Sequence, residues 1–264
     1  MTIHNLNGTS LYAIKEGRGE PVVFMHGFGL DHRMWDQQTN PLRDHFTVIR
    51  YDLRGFGRSA LPDPQVPYTH EDDYLALLRH FELDRAHLVA LSMGGRMALR
   101  CATICPQAMS SLILLDSAMD GHTWSTEWQL EWNNLVAAAR EDSLDAARML
   151  WMRHSLFASA NTNAVLTAQL KTMVEQYSGW HWINKDPATT PQPPATHRLA
   201  DIDIPTLVVT GEFDLPDFHE IAGKLSREIP NARRLVVPQA GHMVNMESPD
   251  IVNAAILNFL NKMK

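Results

Sequence analysis

Short apolar runs alternate with segments of helical periodicity along almost the whole chain, and this alternation limits the possible folds more than any other feature. Runs of four residues with few polar interruptions are typical of strands buried on both faces of a parallel sheet. Parallel strands need crossover connections, which the helical segments can supply. The order predicts an α/β fold, with a mostly parallel central sheet that carries helices on both faces. The runs are "VVFM" (22–25), "FTVI" (46–49), "LVAL" (88–91), "LILL" (112–115), "TLVV" (206–209) and "RLVV" (234–237).

Helix signals follow several of these runs. Residues 93–105 come directly after "LVAL" and end before a proline, and apolar residues recur at helical spacing between Phe218 and Ile229. Ser248 and Pro249 are typical of the N-cap and first position of a final helix. The N-terminal stretches "TIHNL" and "SLYAIKEG" are predicted to form an antiparallel pair at the sheet edge.

One interval interrupts the alternation. About ninety residues between Leu115 and Leu207 contain no convincing strand, although a crossover needs only about a dozen. This interval has helical character and ends in the proline-rich segment "DPATTPQPPATH" (186–197). We therefore predict a core formed by residues 1–118 and 199–264, with a helical cap inserted at residues 119–198.

Composition excludes several classes of function. The 264 residues carry a net charge of −7 without a basic patch, which argues against nucleic-acid binding. The first ten residues lack the pattern of a signal peptide, and no apolar stretch approaches the roughly 18 residues of a membrane span. We expect a cytoplasmic protein without a membrane partner. Cys101 and Cys105 are too few for a disulfide framework and are expected to be buried, inert thiols.

The stretch "VALSMGGRMAL" (89–99) places Ser92 where a buried strand passes directly into a helix. This is the context of a nucleophile elbow, a tight turn that lifts a serine hydroxyl above the sheet edge. The turn requires small residues two positions before and after the serine, here Ala90 and Gly94. Glycine is usual at both positions, so Ala90 is a departure. The alternative is an ordinary N-cap serine, and this segment alone leaves both interpretations open.

Two further residues favour the nucleophile. A serine hydroxyl needs a base, and "AGHMVNME" places His242 after the last predicted strand. The base needs an orienting carboxylate, and "TGEFD" places Asp214 after the preceding strand. The chain order Ser92, Asp214, His242 is the order expected for this elbow architecture. All three follow parallel strands, at the sheet edge where α/β proteins build their sites.

The segment "HGFGLDHRMW" follows the first predicted parallel strand. Its glycines allow backbone N–H groups to face a developing oxyanion. The expected donors are the N–H groups of Phe28 and of Met93, which follows the nucleophile. His26 is expected to order this loop rather than to act as a base.

Taken together, "HGFG", "YDLRGFGRS", "LSMGGR", "GEFD" and "GHMVNMESP" resemble the α/β-hydrolase superfamily over nearly the whole chain. The resemblance implies an acyl-enzyme mechanism with no metal and no organic cofactor. Asp116 and Asp217 are rival acids, since some members carry the acid after the earlier strand, but "GEFD" matches the usual pattern and favours Asp214. Asp52, Arg54 and Arg58 resemble a loop that is structural in the family.

The predicted cap contains six of the seven tryptophans. Such residues either pack the cap onto itself or form an apolar roof over an acyl pocket. Both interpretations stay open for any single tryptophan. The residues expected to contact substrate are Trp124, Trp128, Trp151 and Trp180.

Arg96 lies in the first turn of the helix after the elbow, where a cation opposes the helix dipole. It is either a salt-bridged or surface arginine, or an anchor for a substrate carboxylate. "SMGGR" is similar to relatives that make 2-succinyl-6-hydroxy-2,4-cyclohexadiene-1-carboxylate, whereas "HGFGLDHRMWDQQ" is similar to 3-oxoadipate enol-lactonases. These two resemblances do not separate the subfamilies.

The favoured function is a serine hydrolase that cleaves a small carboxylic ester or lactone, as a monomer or small homo-oligomer. One alternative is a lyase of the 2-succinyl-6-hydroxy-2,4-cyclohexadiene-1-carboxylate synthase type that uses the same triad. The other is a ligand-binding receptor that keeps the fold without turnover. An intact triad argues against the receptor, because binding alone does not require all three residues.

Overall fold

The computed structural model describes residues 2–263, and within them eight strands form one sheet in the order β1-β2-β4-β3-β5-β6-β7-β8. Strands β3 to β8 are parallel to one another, and β2 pairs antiparallel with both β1 and β4. The antiparallel N-terminal pair and the six apolar runs are confirmed. The strands are β1 (Thr2–Leu6), β2 (Thr9–Gly17), β3 (Glu20–Met25), β4 (Phe46–Tyr51), β5 (Ala86–Leu91), β6 (Met109–Leu115), β7 (Thr206–Gly211) and β8 (Ala232–Val237).

The centre of the sheet is covered on both faces. Every residue of β4, β5 and β7 is buried, so side chains that point to opposite faces are equally covered. Strand β8 differs from the sequence expectation, because it is an edge strand with one neighbour and Val236 is 44% exposed.

Helices occupy the predicted crossovers. Helix α3 starts at Met93 and ends one residue before Cys105, which is its C-cap. Ser248 is the N-cap residue of the last helix, although its side chain makes no capping hydrogen bond. The helices are α1 (Asp36–Arg43), α2 (His70–His80), α3 (Met93–Ile104), α4 (Thr126–Glu141), α5 (Leu144–Arg153), α6 (Ala164–Gln176), α7 (Trp180–Ile183), α8 (Pro216–Glu228), α9 (Val244–Glu247) and α10 (Pro249–Leu260).

The interval between β6 and β7 is helical, as predicted. Helices α4 to α7 lie in it, and α4 packs against α5 and α7. Leu135, Leu170 and Trp182 are fully buried, so this segment has an apolar interior of its own. The division into a core and a cap at residues 118/119 and 198/199 stays a prediction. None of the helices within residues 2–263 combines the length and apolarity needed to cross a bilayer. Both cysteines are buried free thiols.

Candidate active site

Ser92 joins β5 to α3 in a conformation that is unfavourable for a residue with a side chain. Its φ is +54° and its ψ is −116°. Positive φ at a non-glycine residue costs free energy and is concentrated at functional sites. Ser92 occupies the N-cap position of α3, but its hydroxyl makes no capping hydrogen bond. The N-cap interpretation therefore does not explain this serine.

Close backbone packing holds the turn in place. A Cβ atom at Gly94 would lie 2.5 Å from the carbonyl oxygen of Met25 and 2.7 Å from that of His26. The Ser92 N–H donates to Leu115 O at 3.0 Å, and the Ser92 carbonyl accepts from Ala118 N at 3.0 Å. These contacts explain why the turn requires glycine at position 94.

His242 and Asp214 form a buried hydrogen-bonded pair. Nδ1 of His242 lies 3.0 Å from each carboxylate oxygen of Asp214, and Oδ1 of Asp214 also accepts from Leu215 N at 2.7 Å. A proton on Nδ1 leaves Nε2 able to accept one from a nucleophile. Ser92 and His242 line the same cavity. Within residues 2–263 the Ser92 hydroxyl makes no hydrogen bond, and such contacts commonly tighten only when substrate binds.

The backbone N–H groups of Phe28 and Met93 have no acceptor in the described part of the chain, and both residues line that cavity. His26 orders this loop, as predicted. Its Nδ1 donates to Gly27 O at 2.8 Å, and its Nε2 accepts from Leu53 N at 2.9 Å. Both ring nitrogens are therefore occupied by backbone groups.

The cavity has a volume of about 390 Å³, and its lining is mainly apolar, with several aromatic rings. Of the tryptophans expected to contact substrate, Trp124, Trp128 and Trp151 line it. Trp180 does not line it and packs against the His181 ring instead, with 4.9 Å between centroids. Besides Phe28, three aromatic residues that were not predicted to contact substrate also line the cavity: Trp132, Phe157 and Phe218.

A continuous series of aromatic contacts connects the helical interval between β6 and β7 to the His242 imidazole. Trp124 and Trp128 stack with 4.4 Å between ring centroids, and Phe218 lies 5.4 Å from Trp124. Phe218 in turn lies 4.3 Å from the His242 ring. Trp151 covers the oxyanion loop so closely that a Cβ at Gly29 would lie 2.7 Å from its Nε1. Cap tryptophans thus serve both packing and cavity lining.

Arg96 forms only a long ion pair, and its side chain is 39% exposed beside the cavity that Ser92 lines. Its Nε is buried without a hydrogen-bond acceptor in residues 2–263, and the Asp120 carboxylate is 3.9 Å away. Arg100 holds that carboxylate through hydrogen bonds of 2.5 and 2.9 Å. Burial and the neighbouring Arg100 lower the pKa of Arg96 from its ordinary value. Arg96 lines both the main cavity and a smaller one of about 200 Å³ beside it.

The rival acid Asp217 connects α8 to the start of the cap. Its Oδ1 accepts from His122 Nε2 at 3.0 Å and from Ser125 N at 2.9 Å. The Asp217 carboxylate thus binds these two donors and makes no hydrogen bond to His242 within residues 2–263. The other rival acid, Asp116, has a carboxylate oxygen within 4.8 Å of one of Asp214.

The loop containing Asp52, Arg54 and Arg58 has the structure expected of a scaffold. Asp52 accepts from the His32 side chain at 2.7 Å and from Arg58 N at 2.8 Å. Arg54 forms a two-point ion pair with Asp73 at 2.6 and 3.0 Å.

Two clusters within residues 2–263 bring three candidate metal ligands to within 4.8 Å of one another. They are Asp31, His32 and Asp52, and Asp116, Asp214 and His242. In the first cluster, Arg33 and His32 occupy the carboxylates through hydrogen bonds. In the second, the Asp214 carboxylate is occupied by His242 Nδ1. The expectation of no metal stays a prediction.

Comparison with known proteins identifies the family. The sequence model of the family described as alpha/beta hydrolase fold matches residues 20–249, so the chain belongs to the alpha/beta hydrolase family. The resemblance inferred from the motifs is confirmed.

The individual relatives described next share 25% to 32% sequence identity with this chain. The chain is 32% identical, over 92% of its length, to the dihydrolipoyllysine-residue acetyltransferase component of an acetoin cleaving system from Pseudomonas putida, and spans 64% of that relative. It is 25% identical to 3-oxoadipate enol-lactonase 1 of Acinetobacter baylyi, over 87% of this chain and 84% of the relative. The crystal structure of the enol-lactonase from Burkholderia xenovorans LB400 superposes with a TM-score of 0.82 at 25% identity, covering 98% of this chain and all of that one.

Proposed function

We propose that this protein is a serine hydrolase that cleaves a small carboxylic ester or lactone through an acyl-enzyme intermediate. The observation that carries the proposal is the geometry of Ser92. Its backbone is strained at φ +54° and its hydroxyl does not cap the helix, yet it shares a cavity with a histidine bonded to a carboxylate. Strain without a structural use is typical of a residue positioned for chemistry.

The Ser92 oxygen attacks the substrate carbonyl, and its proton passes to Nε2 of His242. Asp214 keeps the imidazole in the required tautomer and stabilises its protonated form. The N–H groups of Phe28 and Met93 stabilise the oxyanion. The ester C–O bond then breaks, and the leaving oxygen takes the proton from Nε2. In a lactone this oxygen stays attached to the acyl chain.

Water completes the cycle. It attacks the acyl carbon while His242 accepts its proton, the bond to Ser92 breaks, and the serine oxygen recovers the proton. The products are an acid and an alcohol, or one hydroxy acid from a lactone.

The walls of the cavity favour a substrate with an apolar portion and one acidic group. Trp124, Trp128 and Trp151 provide the apolar surface. Arg96 contributes guanidinium N–H donors that suit a carboxylate. The similarity to two enol-lactonases supports the lactone branch. Arg96 also supports the second candidate, a lyase of the cyclohexadiene-carboxylate synthase type, because such a substrate carries a carboxylate as well.

We further propose a domain arrangement, a cellular location and an assembly state. Residues 119–198 act as the cap over residues 1–118 and 199–264. The protein is cytoplasmic, acts without a cofactor, and works as a monomer or small homo-oligomer.

The direct test is hydrolysis of 4-nitrophenyl esters from acetate to decanoate. Wild type should show a chain-length optimum, and Ser92→Ala should lose at least ~10³-fold in kcat/KM. The matched control is Ser143→Ala, because the Ser143 hydroxyl does cap its helix. Equal activity of wild type and Ser92→Ala would refute the proposal. An inert wild type that converts the cyclohexadiene-carboxylate precursor would favour the lyase.

The same assay tests Arg96. The 4-nitrophenyl monoester of succinic acid and the 4-nitrophenyl ester of butyric acid differ chiefly by one carboxylate. Arg96→Ala should lower kcat/KM for the acidic ester at least tenfold, equivalent to about 1.4 kcal/mol, and spare the neutral one. Equal losses on both esters would remove Arg96 from substrate recognition.

A further inference from the structure

Asp116 is a second buried carboxyl group beside the triad, and the mechanism above does not use it. It follows β6 directly, at a φ of +42°, and is 1% exposed. Strand β6 lies between β5, which leads to Ser92, and β7, which leads to Asp214. Sheet order alone therefore places Asp116 at the centre of the catalytic edge.

The hydrogen bonds of Asp116 are incomplete. Its Oδ1 accepts from Gly211 N at 2.9 Å, but its Oδ2 is buried and has no donor within residues 2–263. A carboxylate oxygen of Asp116, one of Asp214 and a ring nitrogen of His242 all lie within 4.8 Å of one another. The unpaired oxygen thus belongs to a carboxyl group that directly neighbours the triad acid.

Two ionised carboxylates cannot share this site at low cost, because both are desolvated and repel each other. One proton removes the repulsion and supplies the missing hydrogen bond. Burial, followed by the negative charge of Asp214, raises the pKa of Asp116 well above its ordinary range. Asp214 is the better site for the charge, because it accepts from both Leu215 N and His242 Nδ1. Asp116 accepts one such hydrogen bond, from Gly211 N, and the backbone N–H of Val244 also favours its charged form, but burial and the charge of Asp214 outweigh both.

We propose that Asp116 is a positioning residue: a neutral carboxylic acid whose O–H donates to the Asp214 carboxylate and holds it against His242. This inference rests on the proposed function, in which Asp214 is the acid of the triad. The donated hydrogen bond disperses part of the charge on Asp214. It therefore limits how strongly Asp214 favours the protonated imidazole and how readily Asp214 itself takes up a proton.

The first test detects the proton without turnover. Infrared difference spectra of wild type minus Asp116→Asn at neutral pH should contain the C=O stretch of a protonated carboxylic acid. The difference spectrum of wild type minus Asp116→Leu should contain the same band. The test therefore works even if only one of the two variants folds. Absence of the band from the spectra would overturn the inference.

Glu71→Gln is the control for the band assignment. Glu71 is a second buried carboxyl whose oxygens lack partners in the described chain, and burial raises its pKa. Its variant should remove a different band and keep the one assigned to Asp116. Loss of the same band in Glu71→Gln would assign it to Glu71 and overturn the inference.

The second test uses the pH at which kcat/KM falls on the acidic side. Asp116→Asn replaces one neutral donor with another and should keep the wild-type profile. Asp116→Leu removes the donor and should move the fall to higher pH by about one unit, because both His242 and Asp214 then protonate more easily. The His154 imidazole also interacts electrostatically with that of His242. Burial lowers the pKa of His154 to about 4, so His154 stays neutral in this pH range.

If Asp116 were ionised, its removal would shift the acidic fall in kcat/KM in the opposite direction. Asp116→Asn would then remove a negative charge, and the acidic fall would move to lower pH. That result would overturn the inference while leaving the triad intact. Failure of the proposed function is recognised separately, because it appears in the Ser92→Ala comparison and leaves the infrared band unchanged.

Discussion

Within residues 2–263, serine is the N-cap residue of four α-helices (α3, α4, α5 and α10), and the hydroxyl groups differ in what they do. Ser125 and Ser143, at the starts of α4 and α5 in the cap segment, accept hydrogen bonds from Trp128 N and Ala146 N. Both have negative φ values, −58° and −160°. Ser92, at the start of α3, has a φ of +54° and leaves its hydroxyl uncommitted. Ser248, at the start of α10, also makes no capping hydrogen bond, but its φ is −133°. Among these four serines, Ser92 alone combines an uncapped position with a positive φ and a place in the cavity wall.

The comparison also separates the two segments. The sheet edge around Ser92 depends on close backbone approaches and on buried charged groups. The cap segment depends on capped helices and on contacts between aromatic rings. Substitutions of the proposed triad should therefore affect chemistry, whereas substitutions of close-packed glycines at the same edge and of helix caps in residues 119–198 should affect mainly stability.

The largest effect is expected at the triad acid. Asp214→Asn should lower kcat by ~10⁴, because the amide favours the wrong imidazole tautomer. Asp217→Asn is the matched control, since its carboxylate binds His122 and Ser125. It should keep nearly wild-type kcat in the same ester assay. A comparable loss in both variants would place the triad acid at Asp217 or distribute it over the two residues.

A smaller effect, on stability, is expected at the elbow. Gly94→Ala should lower the free energy of unfolding by about 3 kcal/mol, because backbone carbonyls 2.5 and 2.7 Å away cannot shift easily. Gly8→Ala is the control, with a φ of +69° but no atom within 4 Å of the added Cβ. It should cost ~1 kcal/mol, from backbone strain alone. Urea denaturation measures both, and equal losses would show that crowding does not hold the elbow.

The smallest effect separates the two kinds of serine directly. Ser143→Ala should lower the free energy of unfolding by about 1 kcal/mol, the usual cost of losing a capping side chain. Ser92→Ala loses no capping hydrogen bond and should change this quantity by less than ~0.5 kcal/mol. If thermal or urea denaturation gave equal losses of unfolding free energy for the two variants, Ser92 would act as an ordinary N-cap residue.

Much of the fold could be predicted because its signals are local. Runs such as "LVAL" and "TLVV" indicate buried strands, and the proline after Cys105 marks the end of α3. The same local pattern predicted that Ser92, Asp214 and His242 follow strands β5, β7 and β8. The expectation that β8 is buried on both faces failed, because a four-residue run does not reveal whether a strand has one neighbour or two.

The lining of the cavity could be predicted only in part. Trp124, Trp128 and Trp151 line it, but Trp132 does so as well and Trp180 does not. Helical spacing groups residues on one face of a helix, yet it does not say which face meets the core. That choice depends on how α4, α5 and α7 pack together over the sheet.

The sequence by itself determined the order of strands and helices, the position of the elbow, and the family, because periodicity and turn chemistry act over a few neighbouring residues. Tertiary structure decided the positive φ of Ser92, the buried Nε of Arg96 that has no hydrogen-bond acceptor within residues 2–263, and the approach of Asp116 to within 4.8 Å of Asp214. Each of these depends on segments that are distant in the chain and become neighbours only when the parallel strands assemble. The physical reason is that burial, crowding and charge repulsion are properties of a packed neighbourhood, and no local stretch of sequence contains that neighbourhood.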